Sequence, residues 1–138
     1  MLSCGVDIVE LGPFSRLVEL GGEGFLRRIY TRQELSYCRG RVPQLAARFA
    51  AKEACAKALG TSIRGVTWQD IEIRSDRRGK PLLHLSGGAA SRVDELKATE
   101  WTLSLAHSEN LAIAFVIMSG DGFAEEALAR LASALPTP

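Results

Sequence analysis

The sequence predicts a compact, single α+β domain in which antiparallel strands pack on one long central helix, and three observations carry that prediction. An alanine-rich stretch between Pro43 and Gly60 has the makings of a buried helix. Two segments, 71–85 and 101–118, each set apolar runs around a polar turn, as hairpins do. The order strand, helices, hairpin, helix, hairpin is that of an α+β chain. Two βαββ-like halves are conceivable within it, although no long internal repeat is visible. At 138 residues the chain has the usual length of one domain and can bury a core without disulfide staples.

Residues 3–9 are rich in β-branched types, which suits a strand, and Gly12-Pro13 turns the chain into a short helix over 14–20 that Gly21-Gly22 ends. Thr31 with Glu34 three residues on has the capping-box pattern, so a second helix runs over 32–38, followed by a loop at 39–42. Pro43 suits a first helical position and Gly60 the position just past a helix end, which brackets a helix of roughly four turns over 44–59. Leu45, Phe49, Ala56 and Leu59 share one broad stripe, and the alanine content lets this helix approach a sheet closely.

Ile71-Glu72-Ile73 alternates, Asp76-Arg77-Arg78-Gly79 has turn chemistry and 81–85 returns apolar, giving a hairpin with a polar tip. Ser86 leads into a helix over 89–98, and 101–106 and 111–118 read as two further strands joined by His107-Ser108-Glu109-Asn110. Phe123, Leu128, Leu131 and Leu135 recur at near-helical spacing, a helical tail that ends at Pro136-Thr137-Pro138.

Composition narrows the class. Hydrophobic residues make up 46% and charged ones 24%, the proportions of an ordinary globular protein. A net charge of +1 gives no global field for nucleic acid or an anionic membrane, so any anion site is local. Cys4, Cys38 and Cys55 are odd in number, far apart and without zinc spacing, which indicates reduced thiols and a cytoplasmic location. The start of the chain lacks a basic n-region and the longest apolar run, 111–118, is too short to span a bilayer; neither signal peptide nor membrane span is expected.

Local pattern alone leaves the chemistry open. Asp7 lies in the first strand beside Val6, Ile8 and Val9, where a carboxylate either faces solvent on the alternate face or is buried with a partner. The central helix offers Arg48, Lys52, Glu53 and Lys57; Glu53 and Lys57 are neighbours at i,i+4, the spacing of an ordinary surface ion pair.

Motifs taken together say more. GVDIVEL at 5–11 with RFAAKEACAKALG at 48–60 resembles the paired signature of phosphopantetheinyl transferases, most closely the short holo-acyl-carrier-protein synthase class. IYTRQEL at 29–35, DIEI at 70–73, GKP at 79–81 and LSLAHS at 103–108 fall in the same family order, so the resemblance runs from about residue 5 to 118. It implies a transferase domain over 1–120 with 121–138 as a tail that packs on its own core, on a neighbouring subunit or on a fused module.

The resemblance implies a reaction and roles. A serine hydroxyl of an apo acyl carrier protein attacks the β-phosphate of coenzyme A, and 3′,5′-ADP leaves. Asp7 and Glu53 are the implied ligands of magnesium, with manganese as an alternative; magnesium is typically held by one or two carboxylates plus substrate phosphates. Glu53, or a metal-bound water that it orients, takes the serine proton. Lys57 steadies the charge on the leaving group. Arg48 holds the coenzyme's phosphates as a guanidinium can. Lys52 is either a further coenzyme ligand or a solvated helix residue. His107 and Ser108 match the family's strand-end pair near the phosphates, and Gly79, Lys80 and Pro81 line the adenine side or merely punctuate a hairpin.

A homotrimer with the coenzyme site between subunits is implied as well, serving fatty-acid carriers or a polyketide assembly line. The chain departs from the family in the helix after the first strand, which holds Arg16 and Glu19 where basic residues meet an acidic carrier; Arg27 and Arg28 lie nearby as substitutes. A catalytically silent binder of coenzyme A is the rival reading, opposed by the intact Asp7, Glu53 and Lys57, and a phosphate-loop module is opposed by the absence of GxxxxGK[ST].

Overall fold

A computed structural model describes residues 1–61 and 65–136; Thr137 and Pro138, expected to end the tail, lie outside them. The elements are β1 (Leu2–Glu10), α1 (Leu11–Ile29), α2 (Arg32–Cys38), α3 (Val42–Ala58), β2 (Ile71–Ser75), β3 (Pro81–Leu85), α4 (Gly87–Glu95), β4 (Ala98–His107), β5 (Leu111–Gly120) and α5 (Gly122–Ala134). A 3₁₀ turn, Trp68–Asp70, leads into β2.

The strands form an antiparallel three-stranded sheet in the order β1-β5-β4 and an antiparallel hairpin of β2 and β3. Because β1 pairs with β5, the first strand is completed by the last. The two βαββ-like halves expected from the order of elements therefore do not fold as separate units.

Helix α3 is the centre, as its alanine content predicts. Ala50, Ala51, Ala54 and Ala58 are buried against the sheet. Gly5 on β1 completes the close approach, since a Cβ there would stand 1.9 Å from the Ala54 carbonyl oxygen. Ser3 Oγ donates to Ala58 O at 2.6 Å, so β1 is fastened along the second half of α3. Pro43 sits in the first turn and Gly60, at φ 66°, follows the last.

One expectation changes at α1. Gly21-Gly22 reads as a helix end, yet helix resumes and runs to Ile29, with Gly22 at φ 58° and ψ −152° forming a kink. Glycine adopts that backbone readily, and Phe25, Leu26 and Ile29 then pack on the cluster around Phe14 and Leu45. The tail is also settled at its start: Phe123 joins the core that includes Leu59, Leu96 and Met118, and Gly122 N donates to Leu96 O at 2.9 Å.

All three cysteines are free, Cys38 and Cys55 buried and Cys4 exposed. Burial pushes the Cys55 thiol up to about 12, which makes it unreactive. Among the described residues no helix is long and apolar enough to cross a membrane.

Candidate active site

Alternation along β1 runs opposite to the usual pattern. Val6 and Ile8 are exposed at 50% and 59%, whereas Gly5, Asp7 and Val9 face α3. Asp7 pairs across the ladder with Ala114, which is fully buried on that same face. The carboxylate thus takes the partnered alternative, and the apolar residues take the open face.

What meets Asp7 is the last turns of α3. Lys57 Nζ lies 3.2 Å from Asp7 Oδ1 and donates to Val6 O at 2.8 Å. Glu53, one turn earlier, borders with Asp7 an open cleft that Phe14, Leu17 and Phe49 also line. Burial and then the Asp7 carboxylate push the Glu53 carboxyl above its ordinary value, and Lys57 opposes that rise. A carboxylate whose proton affinity a second carboxylate raises is also drawn to a metal cation, and this pair supplies the oxygen donors that a hard divalent ion takes. Among the described residues no larger cluster of His, Cys, Asp or Glu exists, so further ligands would come from water and substrate.

A second cleft, of about 330 Å³, opens on another side of α3 and shares no residue with the first. Arg48, Gly79, Lys80, Pro81 and His107 line it, so five residues from three separate segments meet there. Arg48 is five residues before Glu53, which turns it about 140° around the helix axis. Its guanidinium stacks on Tyr37, with Cζ 4.0 Å from the ring centroid, and donates to Ser75 Oγ at 3.4 Å. Its Nε is buried without a partner. An unpaired donor on a permanent cation is a ready anion site. Asp76 shapes the neighbouring turn: its Oδ1 accepts from Arg78 N at 2.8 Å and Lys80 N at 2.9 Å, which presents Gly79, at φ 83°, and Lys80 to the cleft.

Residues 3–116 match the model of the 4′-phosphopantetheinyl transferase superfamily. The chain belongs to that family. A holo-[acyl-carrier-protein] synthase of Herpetosiphon aurantiacus is 45% identical over 127 residues, covering 87% of this chain and 100% of that protein. The structure of the Neisseria meningitidis holo-[acyl-carrier-protein] synthase aligns with a TM-score of 0.78 at 39% identity, over 85% of this chain and 97% of its own. That of Helicobacter pylori, in complex with coenzyme A, aligns with a TM-score of 0.77 at 31% identity, over 84% and 99%.

Two residues expected in the site of this transferase lie elsewhere. Lys52 is neither solvated nor a coenzyme ligand: it is wholly buried, 2.8 Å from Glu34 Oε1, and donates also to Trp68 O at 3.0 Å and to Ile71 O. An ammonium has three donors, and all three are engaged. Burial lowers the Lys52 pKa, with Glu34 opposing. Ser108 is outside the basic cleft; its Oγ accepts from Asn110 N at 3.4 Å and Leu111 N at 3.3 Å, closing the β4–β5 turn.

Tyr37, Ser75 and Ser104 line the transferase's basic cleft and carry no sequence signal of their own.

Proposed function

We propose that this chain transfers the 4′-phosphopantetheine arm of coenzyme A to a serine of an apo acyl carrier protein, releasing 3′,5′-ADP, as a holo-acyl-carrier-protein synthase. The observation that carries the reading is the meeting of Asp7, Glu53 and Lys57 at the β1–α3 contact, in a chain whose relatives bear that name.

Asp7 and Glu53 would hold magnesium, or manganese in its place, and the metal would neutralise the pyrophosphate oxygens that two carboxylates alone repel. The serine oxygen forms a bond to the β-phosphorus as the bridging P–O bond to the nucleotide breaks. Glu53, its proton affinity raised by burial and by Asp7, accepts the serine proton. Lys57 offsets the charge gathering on the departing 3′,5′-ADP, and Asp7 and Val6 O aim its ammonium. Arg48, with its unpaired Nε, takes the nucleotide's phosphates, while Gly79, Lys80, Pro81 and His107 form the rest of that wall.

A homotrimer is part of the reading. The two clefts share no residue, which suits a coenzyme bridging the carboxylate cleft of one copy and the basic cleft of the next. Val6, Ile8, Ile113 and Phe115 form an apolar sheet face, with Val6 opposite Phe115 and Ile8 opposite Ile113, that a neighbouring copy would cover. Arg16, Arg27 and Arg28 of α1 are the candidates for meeting the carrier, whether of fatty-acid or polyketide synthesis. Residues 1–120 are the transferase domain and 121–138 a tail that is helical over Gly122–Ala134, and the enzyme acts in the cytoplasm.

Incubation with coenzyme A, magnesium and apo carrier protein, followed by mass spectrometry of the carrier, tests the reading. A phosphopantetheine-sized gain is expected, abolished by chelator; no gain with any carrier or metal would sink it.

A further inference from the structure

We propose that Arg130 and Glu126 of α5 are positioning residues that fix the last turn of α3, and with it Lys57, so that the helix beyond the family match belongs to the catalytic apparatus. The inference rests on the transfer reaction proposed above.

The end of α3 caps itself first. Gly60 N donates to Lys57 O at 3.0 Å and Thr61 N to Ala56 O at 3.1 Å, the Schellman pattern that ends a helix at a left-handed glycine. Past the Ala58 carbonyl that Ser3 holds, those of Leu59 and Gly60 lie at the negative end of the helix dipole. Both receive a guanidinium. Arg92 Nε of α4 donates to Leu59 O at 2.9 Å, and Arg130 donates to Gly60 O at 2.6 Å.

Two cations so close would repel one another, and Glu126 removes the conflict: it is hydrogen-bonded to Arg92 and stands 2.6 Å from Arg130. The result is a clamp of three side chains, two of them from α5, closed on the end of α3.

Lys57 is in that last turn. Its side chain is 54% exposed, so surrounding packing does little to aim it; what aims it is the pair of acceptors on β1, Val6 O and Asp7 Oδ1. Reaching them requires the last turn of α3 to keep its place against β1. Ser3 fastens that turn from the strand side through Ala58 O, and the clamp fastens it from the other. Lys57, Glu126 and Arg130 border one cavity, which puts the clamp in the immediate surroundings of the lysine. The match to the family ends at residue 116 and α5 begins at Gly122, so two of the clamp's three side chains belong to this chain's extension.

The test uses Arg130→Met, Arg130→Lys and Glu126→Gln in the full-length chain, with kcat, the KM for coenzyme A and the melting temperature measured on each. Positioning predicts a kcat lowered roughly threefold to thirtyfold in Arg130→Met. It also predicts a nearly unchanged KM for coenzyme A and recovery of most of the rate in Arg130→Lys. The deciding readout is a double-mutant cycle with Lys57→Ala, where Arg130→Met should cause no further loss because the group it positions is gone. Equal loss in both backgrounds, or unchanged kcat in both Arg130→Met and Glu126→Gln, overturns the proposal. Amide hydrogen exchange over 57–61 reads the clamp without activity: faster exchange in Arg130→Met supports it and unchanged exchange refutes it. If Arg130→Met does not fold, Glu126→Gln decides by the same cycle. A wild-type chain that loads no carrier overturns the transfer reading and the catalytic role with it, whereas an active wild type with unaffected variants overturns the positioning role alone.

Discussion

Lys52 Nζ lies 2.8 Å from Glu34 Oε1 with both side chains fully excluded from solvent. Glu34 accepts from Thr31 N at 2.9 Å through the same oxygen and from Ile73 N at 3.1 Å through the other. One ion pair therefore ties α3 to the cap of α2 and to β2, the three elements that present Arg48, Tyr37 and Ser75 to the basic cleft.

Removing one member of such a pair strands the other. Lys52→Met should destabilise the chain by about 3–5 kcal/mol in urea unfolding. A coenzyme ligand would behave differently, raising the KM with stability intact, and that outcome would contradict the burial described here.

Glu53→Gln preserves size and hydrogen-bonding reach but removes the charge. Carrier loading should fall by at least about a hundredfold while circular dichroism stays native. Calorimetric titration with magnesium should lose its signal in the same variant; normal turnover would end the assignment of Glu53 as base and ligand.

Gly5→Ala tests the β1–α3 approach. A methyl group 1.9 Å from Ala54 O must push strand and helix apart, with a loss of stability of about 1–3 kcal/mol. Transfer should drop further than this loss explains, because Asp7 and Glu53 ride on the two elements being separated.

The α5 clamp has a pH signature. A hydrogen bond from Arg92, with Arg130 adding to it, holds the Glu126 carboxyl below its ordinary value. The folded state then binds fewer protons than the unfolded one just below that ordinary value. The stabilisation is complete above the unfolded pKa and is lost as pH falls through the depressed one. Melting temperature should thus fall with acid in the wild type, and less steeply in Glu126→Gln.

Phe115→Asp places a charge in the middle of the open sheet face, opposite Val6 and Ser104. Sedimentation should report trimer in the wild type and monomer in the variant; a wild-type monomer would refute the shared coenzyme site.

Much of the architecture is readable from local chemistry. Pro43 and Gly60 mark the two ends of α3 because each is favoured there by a backbone property of its own. Thr31 and Glu34 announce α2 for the same reason. Gly21-Gly22 misleads because a glycine pair that can stop a helix can equally bend one, and the packing of Phe25 and Ile29 decides between them. Lys52 misleads more deeply. A lysine among alanines resembles a solvated residue, and its acceptors come from Glu34, Trp68 and Ile71, which no helical spacing brings together. Asp7 and Glu53 are similarly remote in sequence, so their meeting was legible through the ordered family motifs and not through periodicity.

The reversed alternation of β1 has a bearing on how faithfully the chain must fold. In a strand, a slip of one residue against its neighbour turns every side chain to the opposite face. Here such a slip would send Asp7 outward among Val6 and Ile8's former neighbours and drive those two residues against α3, where Gly5 now admits the Ala54 carbonyl. On the proposed reading, transfer and subunit assembly would fail together, from one error in a nine-residue segment. If the trimer forms as proposed, a misregistered copy could neither work nor join correctly folded ones, so the strand that carries Asp7 would also act as a proofreader.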